Sequence, residues 1–162
     1  MYLFGWSMAC LFVPRLGDLY GRRLPFLISN GISLLAFLGL MLSNNITLTT
    51  GLFFLLGTCT PGKSSIGYIY LLELIPSIWK TYVGTSLLFA DGSTMIFLSL
   101  YFRYINKNWL WLEIFAFFLM IISHIGLMLV PESPKYLYSY KKFSEAKKSI
   151  NRIAIFNGIP IS

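Results

Sequence analysis

Residues Gly57 to Ser65 read GTCTPGKSS and satisfy G-x-x-x-x-G-K-[ST], the spacing with which glycines and one lysine wrap the phosphates of ATP or GTP. LFFLL precedes the match as a strand would, IGYIYLLEL follows as a helix would, and SLLFAD ends in Asp91, where a magnesium-holding carboxylate would stand. That chemistry requires Lys63 and the loop N–H groups to face water and a polyanion within a soluble α/β domain. The surrounding chain offers no soluble surface. It is 56% hydrophobic and 12% charged, against about 25% charged in ordinary globular domains, and Leu24 to Gly62 contains no charged side chain. The match reads as accidental, and a P-loop nucleotide-binding protein is kept only as an alternative.

The chain carries no Ser/His/Asp set, paired carboxylates or metal-ligand spacing, so no enzyme chemistry, cofactor or metal is expected. Cys10 and Cys59 both sit in apolar runs and read as small buried hydrophobes. The start, MYLFGWSMACLFVP, lacks the basic flank and small-residue cleavage site of a signal peptide and reads as mature chain.

The elements that must position Lys63 and Asp91 follow from the apolar runs. Crossing about 30 Å of hydrocarbon takes about 20 apolar residues, and Leu24–Leu42, Gly51–Leu74, Thr81–Phe102 and Trp109–Val130 qualify. Met1 to Val13 is apolar but too short to cross and reads as a span cut off at its start. The fold class is an all-α membrane protein. Residues 1–130 form a helical bundle of about five spans, and 131–162 a polar tail. Arg15, Arg22, Arg23, Lys80 and the tail cations Lys135, Lys141, Lys142, Lys147, Lys148 and Arg152 fall on one side, with only Arg103 and Lys107 opposite. The basic side is therefore expected to be cytoplasmic, and the net charge of +7 reflects topology rather than nucleic-acid binding. Asn45 to Thr47 forms a glycosylation sequon in a short outer loop. Ala146, Ile150, Ile153 and Ala154 repeat at helical spacing, with Ser144 expected as N-cap and Gly158 and Pro160 closing the helix.

Three stretches on the basic side resemble the major facilitator superfamily of secondary transporters, most closely its organic cation transporter family, with sugar porters next. GDLYGRR, residues 17–23, is similar to the family's loop between the second and third spans through Asp18, Gly21, Arg22 and Arg23, although Pro14 and Leu19 replace a glycine and an arginine. YLLELIPSIWKTYVG is similar to the end of the fourth span through Glu73, Pro76, Lys80 and Gly84. PESPKYL resembles the stretch after the sixth span, with Lys135 and Tyr136 in place of the usual Arg and Trp, and Phe53 stands where the family has a basic residue. The resemblance implies that the five segments are spans two to six, and that the first span and the C-terminal half lie outside these residues. It also implies alternating-access transport of a small organic solute, an organic ion before a sugar, with or without a coupling ion. A non-transporting membrane protein, whether scaffold or degenerate copy, is the alternative of a different class.

The charges can then be given tasks. Asp18, Arg22, Arg23, Glu73, Lys80, Glu132 and Lys135 sit at helix ends on the basic side. Ion pairs there, formed in one arrangement and broken in another, bias a gate by about 1–3 kcal/mol, while a merely solvated rim contributes about 0–1 kcal/mol per pair. Lys63 is the thirteenth residue of a 24-residue span, near the bilayer midplane, where an unpaired charge costs about 2.5–3.5 kcal/mol or more. Asp91 lies at matching depth on the next, antiparallel span. Both are expected to face the bundle interior, as an ion pair or as part of the substrate or proton path. Gly57, Pro61 and Ser65 recur every four residues and read as a narrow packing face. His124 reads as a hydrogen-bonded packing residue, with a proton relay as alternative. Trp109 and Trp111 read as interface anchors, with Glu113 beside them.

Overall fold

The computed structural model describes residues 1–105 and 107–156, and they are almost entirely helical. The helices are α1 (Tyr2–Cys10), α2 (Val13–Tyr20), α3 (Arg23–Leu42), α4 (Ile46–Pro61), α5 (Gly67–Leu74), α6 (Lys80–Leu100), α7 (Leu110–Leu129), α8 (Pro134–Ser139) and α9 (Phe143–Phe156). By length and composition, three helical stretches among the described residues can cross a membrane: Arg23–Leu42, Ser77–Ile105 and Leu110–Ser139. Large apolar side chains cover the outside, Leu88 at 75% and Phe89 at 78% exposed among them. Such a surface is stable against lipid tails, not against water.

The first apolar run does not stay one helix. Proline cannot donate to the preceding turn, so Pro14 ends α1 at Cys10 and sits in the first turn of α2. Cys59 is buried as expected, but Cys10 is exposed, which corrects its reading as a buried hydrophobe. The loop after α3 shrinks to residues 43–45, because Asn45 caps α4 through Oδ1, accepting from the Thr47 N–H at 3.0 Å. The sequon asparagine is thus already committed to a helix start.

From Ile46 to Leu74 the chain is one rod, in which a five-residue π turn, Gly62–Ile66, separates α4 from α5. Pro61 supplies the cause: its missing N–H and its ring disturb the ladder, and the winding widens immediately after it. The GTCTPGKS stretch is therefore helical throughout, its N–H groups directed along the rod, and no strand precedes it. This geometry cannot cradle a phosphate.

Glycines let the rod approach its neighbours. A Cβ on Gly5 would collide with the Phe54 carbonyl, and one on Gly57 with the Tyr2 carbonyl, so α1 and α4 press backbone to backbone through reciprocal glycines. The four-residue repeat predicts a continuous face through Ser65, yet Ser65 is only half-buried, while Gly62 and Ile66 are fully buried. The π turn rotates the packing face, and Gly62 meets the Ser29 side chain while Gly67 meets the Phe26 ring. His124 packs beside Gly31, with Nδ1 3.4 Å from the Asn30 amide nitrogen.

In the tail, α9 starts at Phe143, one residue before the expected cap, so Ser144 lies inside the helix. Gly158 and Pro160 lie outside the described residues. The helix rests on protein: Ala146 and Ser149 are buried, and Ser149 Oγ donates to the Glu132 carbonyl at 2.6 Å.

Candidate functional site

Two constellations of polar groups stand out, one at the basic end of the bundle and one along its length. At the basic end the chain must turn sharply from α2 into α3, and Gly21 makes the turn with φ +98°, a conformation costly for any residue with a Cβ. A Cβ there would also stand 2.7 Å from Glu132 Oε2. The turn delivers the first N–H groups of α3 to the Glu132 carboxylate.

Glu132 Oε1 accepts from the N–H groups of Arg22, Arg23 and Ser133, each at 3.0 Å, and Oε2 is 3.3 Å from the Arg23 N–H. A carboxylate placed on the positive end of a 20-residue helix satisfies two donors that the helix itself leaves unpaired. Around it, Arg22 pairs with Asp18 at 2.5 Å and stands 3.8 Å from Glu73. Glu73 Oε2 accepts from Ser133 Oγ at 2.6 Å, and the same Oγ accepts from the Tyr136 N–H, capping α8. Arg23 donates to the Met128 carbonyl at 2.7 Å, securing α3 to the end of α7.

Three tyrosines tie this end to the neighbouring backbone: Tyr70 donates to the Pro131 carbonyl, Tyr136 to that of Leu19 and Tyr140 to that of Asp18. Burial, then the nearby Tyr140 and Glu132, push the Tyr136 phenol above its ordinary value, with Arg22 opposing. Tyr136 therefore remains a neutral donor at physiological pH.

Of the residues singled out from the sequence, Asp18, Arg22, Arg23, Glu73 and Glu132 meet here, whereas Lys80 and Lys135 join no ion pair among the described residues. Glu132 engages backbone N–H groups in place of a guanidinium. Sequence reasoning missed Ser133, although a serine directly before a helix-opening proline is a recognisable N-cap signal. The tyrosine hydroxyls had no such signal, because their acceptors lie 61 to 122 residues away.

The second constellation lines a cavity of about 630 Å³ between the rod, α6 and α7. Lys63, from the π turn, and Asp91, from the middle of α6, both contribute to its wall, with Ser64, Tyr68 and Ser123 as further polar groups among leucines. No ion pair within 4.0 Å joins Lys63 to Asp91. Among the described residues no group of three His, Cys, Asp or Glu side chains is arranged to hold a metal ion.

The sequence matches the family model for sugar (and other) transporters over residues 1–157. The chain belongs to the sugar (and other) transporter family. Solute carrier family 22 member 2 of Rattus norvegicus is 27% identical over 164 residues, covering 98% of this chain and 29% of the relative. Solute carrier family 22 member 1 of Oryctolagus cuniculus is 28% identical over 156 residues, covering 95% and 28%. The carcinine transporter of Drosophila melanogaster is 26% identical over 158 residues, covering 98% and 22%. The chain thus spans less than a third of the length of these curated relatives. As a transporter-family member with long apolar helices, it is an integral, multi-pass membrane protein. Within it, the stretches GDLYGRR, YLLEL and PESPKYL converge on one hydrogen-bonded network, joined through Glu132, Ser133 and Glu73.

Proposed function

We propose that this chain is part of a secondary transporter that moves a small organic solute across a membrane by alternating access. The network at the basic end acts as its cytoplasmic gate, and the Lys63 and Asp91 cavity lies on the solute or ion path. The family match over residues 1–157 carries the reading. Its chemistry agrees: a gate needs contacts that several elements make at once and can release together, and Glu132 with Ser133 holds the starts of α3 and α8 and the end of α5. In this reading the helices of residues 1–130 correspond to spans two to six, and the first span and a second six-span half complete the pathway.

Organic ions are the favoured substrates, since the motif stretches on the basic side resemble the organic cation transporter family and one relative is named a carcinine transporter, and sugars come second. A cavity with one cation and one carboxylate among apolar walls suits an organic ion better than a hexose, whose many hydroxyls need many partners. The test is uptake of labelled organic cations, organic anions and hexoses by the complete transporter, with and without a proton gradient. Lys63→Ala, Asp91→Ala and the double variant are assayed beside it. Loss in each single variant with recovery in the double assigns a structural pair; loss in all three assigns the solute or ion path. Normal uptake by both singles removes Lys63 and Asp91 from the mechanism, and no uptake of any solute class overturns the transport reading.

A further inference from the structure

Beside Glu132, with Asp18, Arg22 and Glu73 outside its wall, a cavity of about 410 Å³ opens between the start of α3, the turn after α7 and one face of α9. Four cations line it, Arg23, Lys142, Lys148 and Arg152, against two carboxylates, Glu132 and Glu145. Four cations against two carboxylates leave the wall with a net charge of +2. Glu132 is committed to three backbone N–H groups, and no ion pair within 4.0 Å joins Glu145 to any of the four. Arg23 spends one terminal nitrogen on the Met128 carbonyl, while its Nε is buried without a hydrogen-bond partner.

The spacing on α9 points the same way. Glu145, Lys148, Ser149 and Arg152 recur at three- and four-residue intervals and form one helical face, the face that closes the cavity. Cations therefore converge from two directions, from α3 and from α9 with the turn before it. That is the arrangement for an anion presenting several oxygens at once, with guanidinium groups able to bind two of them in parallel. The volume exceeds that of a single small inorganic anion. The cavity also adjoins the end of α7, a helix long and apolar enough to cross a membrane, and lipid headgroups gather where such helices end.

We propose that this cavity binds a phosphate-bearing organic anion, either a phosphorylated lipid headgroup or a soluble organic phosphate, which clamps α9 onto the start of α3 beside Glu132. The site is separate from the solute cavity and stands whether or not the chain transports.

The experiment uses the full chain in phosphatidylcholine nanodiscs, titrated with inositol trisphosphate, and in parallel nanodiscs containing phosphatidylinositol bisphosphate; binding is read calorimetrically or as a shift of the melting midpoint. Saturable binding of the soluble probe with no tighter response to the lipid identifies a soluble ligand, and a tighter or exclusive response to the lipid identifies a headgroup. In either case Lys148→Gln combined with Arg152→Gln weakens binding about tenfold or more, since two charge-assisted contacts are lost. Lys147→Gln removes the same charge from α9 at a position outside the cavity wall and changes binding less than about twofold. Glu145→Gln tightens binding, a gain that a misfolded variant could not show. Equal weakening by Lys147→Gln, or no saturable response to either probe, overturns the proposal.

Discussion

Replacing Glu132 tests whether a carboxylate on backbone N–H groups, more than the guanidinium pairs beside it, holds the basic end together. In Glu132→Ala three N–H groups lose their acceptor at once, two of them in the first turn of α3. Each charge-assisted bond contributes about 1.5–3 kcal/mol net when its donor cannot reach water. Glu132 is half-buried, so water recovers part of that, and a total loss of about 2–4 kcal/mol follows. Glu132→Gln is the informative partner. All three 3.0 Å contacts fall on Oε1, which an amide oxygen can replace, while the charge on the helix end disappears and the amide nitrogen faces the Arg23 N–H from 3.3 Å. The helix-dipole contribution of about 0.3–1 kcal/mol, with a small repulsion, sets its cost near 1 kcal/mol. Reversible unfolding in mixed micelles, followed by far-ultraviolet circular dichroism, measures both. If Glu132→Ala costs under about 0.5 kcal/mol, or if the two variants are indistinguishable, the N–H groups are not what Glu132 serves and the reasoning fails.

Gly21→Ala should destabilise the same end by about 1–3 kcal/mol or more, since the left-handed turn and the Glu132 carboxylate both exclude a Cβ; an unfolding midpoint equal to that of the parent would refute it. Ser133→Ala removes both the α8 cap and the bond to Glu73, and should cost about 2 kcal/mol in the same assay, whereas Ser133→Thr keeps most of it. Gly57→Val should separate α1 from α4, read as accelerated labelling at the buried Cys59 thiol; unchanged labelling would show that the glycine contact is dispensable. The folded state holds the Tyr136 phenolic proton more tightly than the unfolded chain does, so this residue's contribution, about 1 kcal/mol, is present below pH 10 and declines as pH rises through the folded value. The stability gap between parent and Tyr136→Phe should therefore narrow in alkaline buffer, and a constant gap would contradict it.

Two of the long apolar helices were legible because lipid imposes a length and a polarity that any single sequence must display: Leu24–Leu42 is α3 within one residue and Trp109–Val130 is α7 within one at each end, whereas the run Gly51–Leu74 starts five residues earlier, at Ile46, and is interrupted by a π turn. Breaks inside the runs were harder. Pro14 announces the end of α1, but Pro61 announces only a disturbed ladder, which a kink or a π turn would satisfy equally. Charges told where the network lies and not how it is wired. Asp18, Arg22, Glu73 and Glu132 are obvious as ions among apolar residues, yet what Glu132 accepts from depends on Gly21 bringing the start of α3 across more than a hundred residues of chain. Counting residues from a shared turn puts Lys63 and Asp91 at similar depth, while the exposure of Asp91 and the gap between the two ions depend on the distance between the rod and α6, which no count of residues gives.

The widened turn at Gly62–Ile66 means that the rod's two halves are phased by a single surplus residue. Forcing ordinary winding on these five residues, with none removed, would swing everything downstream by about 100°. Tyr70 and Glu73 would then be carried off their partners while Gly57 kept its own. A change of winding in the middle of an apolar run would thus be felt at the far tip, as a key cut correctly and inserted at the wrong angle.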